Sequence, residues 1–379
     1  MNRGAVVGRA LLLLALGAVY ATPAAIAFVR QWQPEPIVAG PGVTRQVMLS
    51  DYFAGIKGSP VDTEVFILEG EEPGGTMVVL GSTHPVEPAG LLSATLLVEN
   101  AEVRQGRLIV IPRANESGYT ATEPGQGYPD RYEIETDSGT RWFRFGMRNT
   151  NPIHQFPDPD VFVNAASGQK LAGAEAGNLN RNYPGRPNGR PTEQLAWAIM
   201  ELIRKEKADI SVDYHEAPPC RPLVNSICAH ERAMDIAAYA VVLLEEQDIR
   251  IRLEASPPNL RGLSHREWGD YTDTMAVLIE STSPMHGPLH GPATTDLLLT
   301  AKDEVYEWAS RIGRTVQKHT AEGVPIAVRV GRHLTTVMSL AEALTDFEPD
   351  RGIVIEGIPA YAEIVANGVG RYLKPASGK

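Results

Sequence analysis

Two histidines and two glutamates of this 379-residue chain have the side-chain types of a hydrolytic metal site. His84 and Glu87 lie three residues apart in a polar turn that follows an apolar run. His215 and Glu280 come much later, and each also follows an apolar run. Two imidazoles and one carboxylate form a ligand set that zinc accepts, with a fourth position open to water. A second carboxylate at the same place could take the proton of that water as a general base.

The positions of these side chains relative to the predicted strands favour their convergence. Apolar runs at 76–80, 107–111, 208–212 and 275–279 are predicted to be buried strands. They lead, in order, into the following polar residues: His84 with Glu87, Asn115, His215 and Glu280. Ligands bind at the carboxyl ends of the strands in an open α/β sheet. We therefore predict that His84, Glu87 and His215 hold one zinc ion, although each histidine taken alone is also compatible with a hydrogen-bonded core residue.

The order of predicted elements indicates a three-layer αβα fold with a mixed, largely parallel sheet, because strands alternate with helices. Predicted helices cover 88–105, 192–207, 231–247 and 297–319. A strand at 65–68 is expected to pair with the strand at 76–80, and the segment 116–179 is expected to be irregular. These elements place a catalytic domain at 45–322.

The remainder, 323–379, is predicted to be a small, β-rich C-terminal extension. Its apolar stretches suggest short strands at 328–330, 352–356 and 362–365 and a helix at 340–347. The sequence leaves open whether this extension packs on the core or caps the cleft.

The N-terminus is predicted to direct export. Arg3 and Arg9 make a basic start, and an apolar run covers 10–29. Ala25-Ile26-Ala27 fits a signal-peptidase site, which favours a cleaved signal peptide, but the run is also long enough for an uncleaved membrane anchor. Either alternative places the main body outside the cytoplasm. Residues 30–44, rich in proline and glycine, are expected to form a linker.

The charge and the cysteines narrow the functional classes. A formal net charge of −11 argues against nucleic-acid binding, which needs a basic surface. The two cysteines, Cys220 and Cys228, could form a local disulfide in an exported protein. Two unpaired thiols, or a metal role beside His230, are the alternatives.

The chain resembles the zinc carboxypeptidase superfamily, in particular its branch of succinylglutamate desuccinylases and aspartoacylase-like deacylases. The resemblance spans about 200 residues in the order typical of the family. It is carried by Gly-Ser-Thr-His-Pro-Val-Glu at 81–87, 112–118, Asn-Leu-Asn-Arg-Asn-Tyr-Pro-Gly at 178–185, Asp-Tyr-His at 213–215 and Leu-Ile-Glu at 278–280. It implies one catalytic zinc and hydrolysis of an amide bond near a free carboxylate. Its substrate would be a small acyl amino acid or a peptide.

The resemblance also implies roles for further residues. Asn180 and Arg181 would hold the substrate carboxylate, which a guanidinium matches with two parallel hydrogen bonds. Arg148 would stabilise the oxyanion, with Arg144 as the second choice. The segment around 264–268 resembles the lining of the specificity pocket, so that His265 or Arg266 would favour an acidic side chain.

The chain departs from the family at one position that matters for peptide binding. The carboxypeptidases carry a mobile tyrosine well before the catalytic glutamate, and 256–260 has none. His286 and His290 follow Glu280 in a loop and either overhang the site or belong to the surface. A catalytically silent metal- or peptide-binding protein on the same fold is the alternative function.

Overall fold

The computed structural model describes residues 3–123 and 128–376. Within these ranges the strands and helices are numbered in chain order. The strands are β1 (Arg45–Met48), β2 (Glu64–Glu69), β3 (Glu72–Leu80), β4 (Glu102–Ile111), β5 (Arg131–Thr136), β6 (Gly139–Arg144), β7 (Val161–Val163), β8 (Lys170–Ala172), β9 (Ile210–Ala217), β10 (Ser226–Ala229), β11 (Arg252–Ala255), β12 (Met275–Thr282) and β13 (Val354–Glu356). The helices are α1 (Arg3–Gln31), α2 (Pro88–Asn100), α3 (Pro191–Lys205), α4 (Met234–Glu245), α5 (Ser264–Tyr271), α6 (Thr295–Thr300), α7 (Glu304–Arg311), α8 (Ile326–Phe347) and α9 (Tyr361–Asn367).

Nine of the strands form one mixed sheet in the order β1-β2-β4-β3-β9-β12-β10-β11, with β13 added beside β4. The four central strands β4, β3, β9 and β12 are parallel to one another. Antiparallel pairs join β1 to β2, β2 to β4, β10 to β12 and β13 to β4. The parallel centre therefore brings the carboxyl ends of all four strands, β4, β3, β9 and β12, to one edge.

Helices cover both faces of this sheet. Met77 and Val79 point to the face covered by α2, α4 and α8, whereas Val78 and Leu80 point to the face covered by α3 and α5. Because both faces are covered, the central strands are continuously apolar rather than alternating. The predicted three-layer αβα fold is confirmed.

Three local predictions were wrong. Strands β2 and β3 are not neighbours, because β4 lies between them. The segment expected to be irregular contains two hairpins, β5–β6 and β7–β8. The helix expected at 297–319 is two short helices, since the side chains of Thr294 and Asp303 each accept a backbone N–H and start a separate helix.

The C-terminal residues were also predicted with the wrong secondary structure. The strand expected at 328–330 belongs to the 22-residue helix α8, and the strand expected at 362–365 is helix α9. Val330, Leu334, Val337 and Leu340 of α8 are buried in the same core as α2 and α4. Their spacing of three or four residues is that of one helical face. Of the three strands predicted in the C-terminal residues, the one at 352–356 is present as β13, which pairs with β4.

The two cysteines do not form the predicted disulfide. Both thiols are free. The Cys220 Sγ lies 3.4 Å from the hydroxyl oxygen of Tyr306, and the Cys228 Sγ lies 3.7 Å from Nδ1 of His265. The thiols thus contact different partners. His230, beside which the cysteines could have bound a metal ion, pairs through Nε2 with Asp270 at 3.1 Å.

The N-terminal helix α1 stands apart from the core. It is long and apolar enough to cross a membrane by length and composition, and all of it except Gln31 is outside the buried interior. The segment after α1, predicted to be a linker, packs against the body. Glu35 is buried and pairs with Arg144 at 2.7 Å and with Arg113 at 3.4 Å.

Glu35 therefore ties the segment after α1 to the core. Burial alone would raise the pKa of the Glu35 carboxyl, but the Arg144 and Arg113 guanidinium groups lower it below its ordinary value. A carboxylate with a lowered pKa stabilises the fold above its unfolded pKa, and this contribution is lost as the pH falls through the folded pKa.

We expect Glu35→Gln to lower the free energy of unfolding at pH 7 by about 3 kcal/mol, because it leaves buried guanidinium charge uncompensated. The loss should shrink below about pH 4, where the parent carboxylate also becomes protonated. Denaturant unfolding of the solubilised chain at several pH values measures both effects. The control Glu64→Gln removes a more exposed partner of Arg113 and should cost about 1 kcal/mol or less. Equal losses for the two variants would contradict the role of Glu35.

Candidate metal centre

A tight turn after β3 presents His84 and Glu87 on the same side. A side chain at Gly81 would place its Cβ 2.6 Å from the Gly90 carbonyl oxygen, so only glycine lets the strand pass so close to α2. The Glu87 N–H donates to the His84 carbonyl oxygen at 3.0 Å, which closes the turn. Pro88 then begins α2 at a position where no N–H is needed.

The other two predicted groups come from the last residues of adjacent parallel strands. His215 lies in β9 and Glu280 in β12, and the two are direct register partners. Both strands run two residues past these side chains, further than the sequence indicated. His215 and Glu280 are close because they are paired in the register of β9 and β12, and not only because both lie near the strand ends.

The carboxylate of Glu87 lies between the two imidazoles. Its Oε1 is 2.8 Å from His84 Nδ1, and its Oε2 is 2.9 Å from His215 Nδ1. One donor atom from each of the three side chains lies within 4.8 Å of the others, and all three residues are buried. The structure therefore brings together the three side chains that were predicted to hold zinc.

Each imidazole is oriented by a second partner on its far nitrogen. His84 Nε2 donates to Asn178 Oδ1 at 2.9 Å, and His215 Nε2 pairs with Asp213 Oδ2 at 2.9 Å. Such partners fix the tautomer and direction of a metal-binding imidazole. These orienting roles of Asn178 and Asp213 were not predicted from the sequence. For Asp213 a signal was present, because residues two apart in a strand point to the same face.

The ionisation of the three side chains reflects burial and mutual contact. Burial, followed by the charge of Arg148, lowers the pKa of His84 to about 4, so that its imidazole is neutral. Burial opposes ionisation of Glu87, yet the two histidines hold its pKa well below the usual range. Burial likewise disfavours the charged form of His215, but Asp213 and Glu87 raise its pKa well above the ordinary value.

Glu280 is half-buried, and one oxygen of its carboxyl group is shielded from solvent. Its Oε2 has no hydrogen-bond partner among the described residues. Burial is the main cause that raises the pKa of Glu280 to about 8, and the charge of His215 acts in the opposite direction. A buried polar atom that lacks a partner is costly to the fold, so its presence needs an explanation.

These groups line one cavity of about 440 Å³ together with several predicted substrate-binding residues. Arg148, Asn180, Arg181 and His265 all contribute to its wall. The Asn180 side chain is held by the Ser264 N–H, which donates to its Oδ1 at 2.8 Å. Burial lowers the pKa of Arg181, whose acidic neighbour Glu175 lies 3.8 Å away.

The two arginines considered for the oxyanion lie in different places. Arg148 lines the cavity, with Nη1 3.2 Å from Oε1 of Glu87. Arg144 instead lies in the buried ion-pair cluster with Glu35 and Glu116 and does not line the cavity. Arg148 is therefore in a position to contact a molecule in the cavity. Arg144 is instead engaged in the ion pairs that hold the N-terminal segment.

The two residues proposed for the specificity pocket also separate. His265 is buried in the cavity wall, where its Nδ1 contacts the Ser256 hydroxyl at 2.8 Å and burial lowers its pKa to about 3. A neutral histidine offers no charge for an acidic side chain. Arg266 lies outside the cavity lining and is paired with Glu231 and Asp270.

The loop histidines and Asn115 separate in the same way. His286 reaches the cavity wall, where its Nε2 donates to the Glu216 carbonyl oxygen at 2.6 Å. His290 does not line the cavity and contacts Tyr128 at 3.4 Å. Asn115 caps a local turn by accepting the Gly118 N–H. Of these three residues, His286 is the one that overhangs the candidate site.

Helix α8 supports the ligand-bearing strand from below. His333 Nε2 donates to the His215 carbonyl oxygen at 3.0 Å. Arg329 pairs with the fully buried Glu216 at 2.6 Å. Glu216 in turn receives the Ala89 N–H on its side chain, while its own N–H donates to Glu87 Oε2 at 3.0 Å. The C-terminal residues thus hold both ligand-bearing segments in place.

Comparison with known proteins finds distant similarities among solved structures. No protein-family model and no curated protein matches the chain. Among solved structures, a succinylglutamate desuccinylase from Silicibacter sp. TM1040 is 17% identical over 58% of this chain and 53% of that chain, with a TM-score of 0.36. An aspartoacylase family protein from Mesorhizobium loti is 18% identical over 65% of this chain and 66% of that chain, with a TM-score of 0.37. A metallo-carboxypeptidase from Burkholderia cenocepacia is 12% identical over 85% of this chain and 68% of that chain, with a TM-score of 0.45.

These three structural neighbours are a succinylglutamate desuccinylase, an aspartoacylase family protein and a metallo-carboxypeptidase. The chain spans about half the length of the desuccinylase, 53%. At such identities and TM-scores the matches carry no argument about chemistry. The function must be argued from the side chains of this chain.

We expect Asp213→Asn to weaken zinc affinity by about 10- to 100-fold, because Asp213 orients the His215 imidazole and raises its basicity. Competition with a chromogenic chelator measures the affinity. Ser211→Ala is the matched control, since Ser211 is a buried polar residue of the same strand that bonds Thr274 instead. Unchanged affinity in Asp213→Asn, or an equal loss in Ser211→Ala, would remove Asp213 from the metal centre.

Proposed function

We propose that the chain is a zinc-dependent hydrolase that cleaves an amide bond next to a free carboxylate, as a carboxypeptidase or an N-acyl amino-acid deacylase. The observation that carries this proposal is the geometry of one cavity. His84, Glu87 and His215 turn three donor atoms toward each other there, and the same space is lined by Glu280, whose Oε2 has no hydrogen-bond partner among the described residues. Binding alone has no need for such a carboxyl group, whereas hydrolysis needs a base.

The donor set fits a divalent cation. His84 is neutral and gives its Nε2 hydrogen to Asn178, so its Nδ1 turns a lone pair toward the ionised Glu87 carboxylate at 2.8 Å. Two acceptors that face each other at this distance repel unless a positive charge lies with them. Two imidazole nitrogens and a carboxylate are ligands of catalytic zinc sites, and zinc when bound there would polarise a carbonyl group and acidify a water molecule.

Glu280 is suited to move the proton. Its raised pKa describes the carboxyl group without a cation, and a positive charge in the same cavity would favour the ionised form. The ionised Glu280 would accept a proton from the attacking water on Oε2. The same oxygen would then return the proton to the leaving amine.

Arg181, Asn180 and Arg148 would bind the substrate. The half-buried guanidinium of Arg181 lines the cavity, where its Nη1 donates to the Asn180 carbonyl oxygen at 2.7 Å and its Nε lies 3.8 Å from Glu175. A substrate carboxylate could accept hydrogen bonds from its remaining N–H groups. The Asn180 side chain is fixed by Ser264 and would present its amide hydrogens. Arg148 would stabilise negative charge that develops on the carbonyl oxygen.

We further propose that the body functions outside the cytoplasm. The support is the N-terminal helix α1, which has the length and apolar composition of a membrane-crossing segment and carries basic residues, Arg3 and Arg9, in its first part.

We expect Glu280→Gln to lower turnover by about 10²- to 10⁴-fold while zinc remains bound, because glutamine keeps the shape but cannot accept the proton. The measurements are metal content and hydrolysis of a panel of N-acyl amino acids and C-terminal dipeptides. A parent protein that holds zinc but hydrolyses nothing in a broad panel would instead support a silent metal- or peptide-binding protein. Full activity in Glu280→Gln would exclude this residue as the base.

We expect Arg181→Ala to raise KM by about 10- to 100-fold for substrates with a free carboxylate, since it removes charge-assisted hydrogen bonds. Amidated analogues of the same substrates should be affected little. Arg266→Ala is the matched control, because Arg266 lies outside the cavity and is occupied by Glu231 and Asp270. An equal loss on free and amidated substrates would contradict the assigned role of Arg181.

A further inference from the structure

The end of α1 is fastened to the catalytic body over a very short distance. Gln31, the last residue of the helix, is buried, and Glu35 is held by Arg144 and Arg113. Four residue steps of extended chain span about 14 Å at most. The surface of the body around this point therefore lies within about 14 Å of the end of α1.

Exposed apolar side chains cluster at this same point. Trp32, just after α1, packs its ring edge against His154 with 5.9 Å between centroids. The neighbours of His154 in the chain include Ile153, exposed by 68%, and Phe156, exposed by 80%. Phe156 is more exposed than any other large apolar side chain in the described part of the chain. We call Trp32, Ile153 and Phe156 the docking patch.

The loop that carries Ile153 and Phe156 of the docking patch is fixed to the body by hydrogen bonds. His154 Nδ1 contacts the Ser117 hydroxyl at 2.7 Å, and Gln155 accepts the Thr192 hydroxyl at 2.6 Å. Arg190 donates to the Pro157 carbonyl oxygen at 2.7 Å. The backbone is thus anchored while the apolar side chains point away from the body, an arrangement that presents them rather than leaving them unplaced.

We infer that α1 remains as a membrane anchor and that the docking patch rests in the interface of the bilayer that α1 enters. A bilayer is the occupant favoured by continuity, because the patch begins at the first residue after an apolar helix of membrane-crossing length. Tryptophan and other aromatic side chains favour the level of the lipid headgroups. The contact is apolar in origin, since the exposed carboxylates Asp158 and Asp160 next to the patch offer no attraction to anionic lipids.

This inference selects the uncleaved anchor from the two possibilities that the sequence left open. It rests on the proposed location of the body outside the cytoplasm and not on the proposed hydrolysis. A patch that touches the bilayer beside α1 would hold the body in one orientation, whereas a flexible linker would let it tumble.

The test places a reporter at the most exposed position of the patch. The full chain carrying Phe156→Cys is labelled with an environment-sensitive dye and reconstituted into phosphatidylcholine vesicles, with and without lipid that bears a shallow doxyl quencher. Phe347→Cys is the matched control, because Phe347 is an apolar residue exposed by 54% at the far end of α8. The parent chain treated with the same dye corrects for reaction of Cys220 and Cys228. Substitutions at such exposed sites change stability little.

We expect the label at 156 to be quenched at least about twofold more strongly than the label at 347, because only the former should lie at headgroup depth. Intact mass of the membrane-bound protein produced in cells should include the residues before position 28. Equal quenching at the two positions would overturn the inference, and so would a soluble product that begins near position 28. Hydrolysis measured on the same samples tests the proposed function separately, since loss of docking leaves the cavity residues unchanged.

Discussion

The carboxylate of Glu87 is the constraint on which the candidate site depends. It contacts an imidazole nitrogen on either side, at 2.8 Å and 2.9 Å, and all three residues are almost fully buried. Ionised oxygen and imidazole lone pairs are costly to bury together unless a positive charge compensates them. The carboxylates of Asp213 and Glu87 raise the pKa of His215 in response to this cost, and a divalent cation would supply positive charge at the same place.

Further polar contacts around the two imidazoles offset part of this electrostatic cost. Asp213 and Asn178 bind the outer nitrogens of the imidazoles, and Thr83 donates to the second oxygen of Asp213 at 2.7 Å. Helix α8 adds a further layer through Arg329 and His333. Because these contacts come from segments far apart in sequence, the site exists only when the three layers are assembled. The C-terminal residues are therefore part of the site's support rather than an accessory to it.

Much of the site could be predicted from the sequence because it depends on strand ends. Apolar runs followed by polar residues gave His84, Glu87, His215 and Glu280, and parallel packing brings such ends together. The assignment of Arg144 to substrate was different in kind. Its partner Glu35 lies 109 residues earlier in a segment expected to be a linker, and no local pattern reveals such a pairing.

The first part of helix α8 was missed for a related reason, whereas the helix predicted at 340–347 matches its C-terminal part. The run 328–330 alternates apolar and charged residues, which resembles a short strand when only a few positions are considered. The helical spacing appears over four turns, and it becomes decisive only when the face of the sheet that it covers is known. Two polar residues on that face, Arg329 and His333, interrupt the apolar pattern of the helix. They are buried because they bond Glu216 and the His215 carbonyl oxygen.

Anomalous scattering at the zinc edge, from crystals of the zinc-loaded chain, tests the central claim most directly. The account predicts one peak per chain, at about 2.0–2.2 Å from Nδ1 of His84, a carboxylate oxygen of Glu87 and Nδ1 of His215. A zinc-loaded crystal without a peak between these three side chains, or with its zinc bound elsewhere, would contradict it.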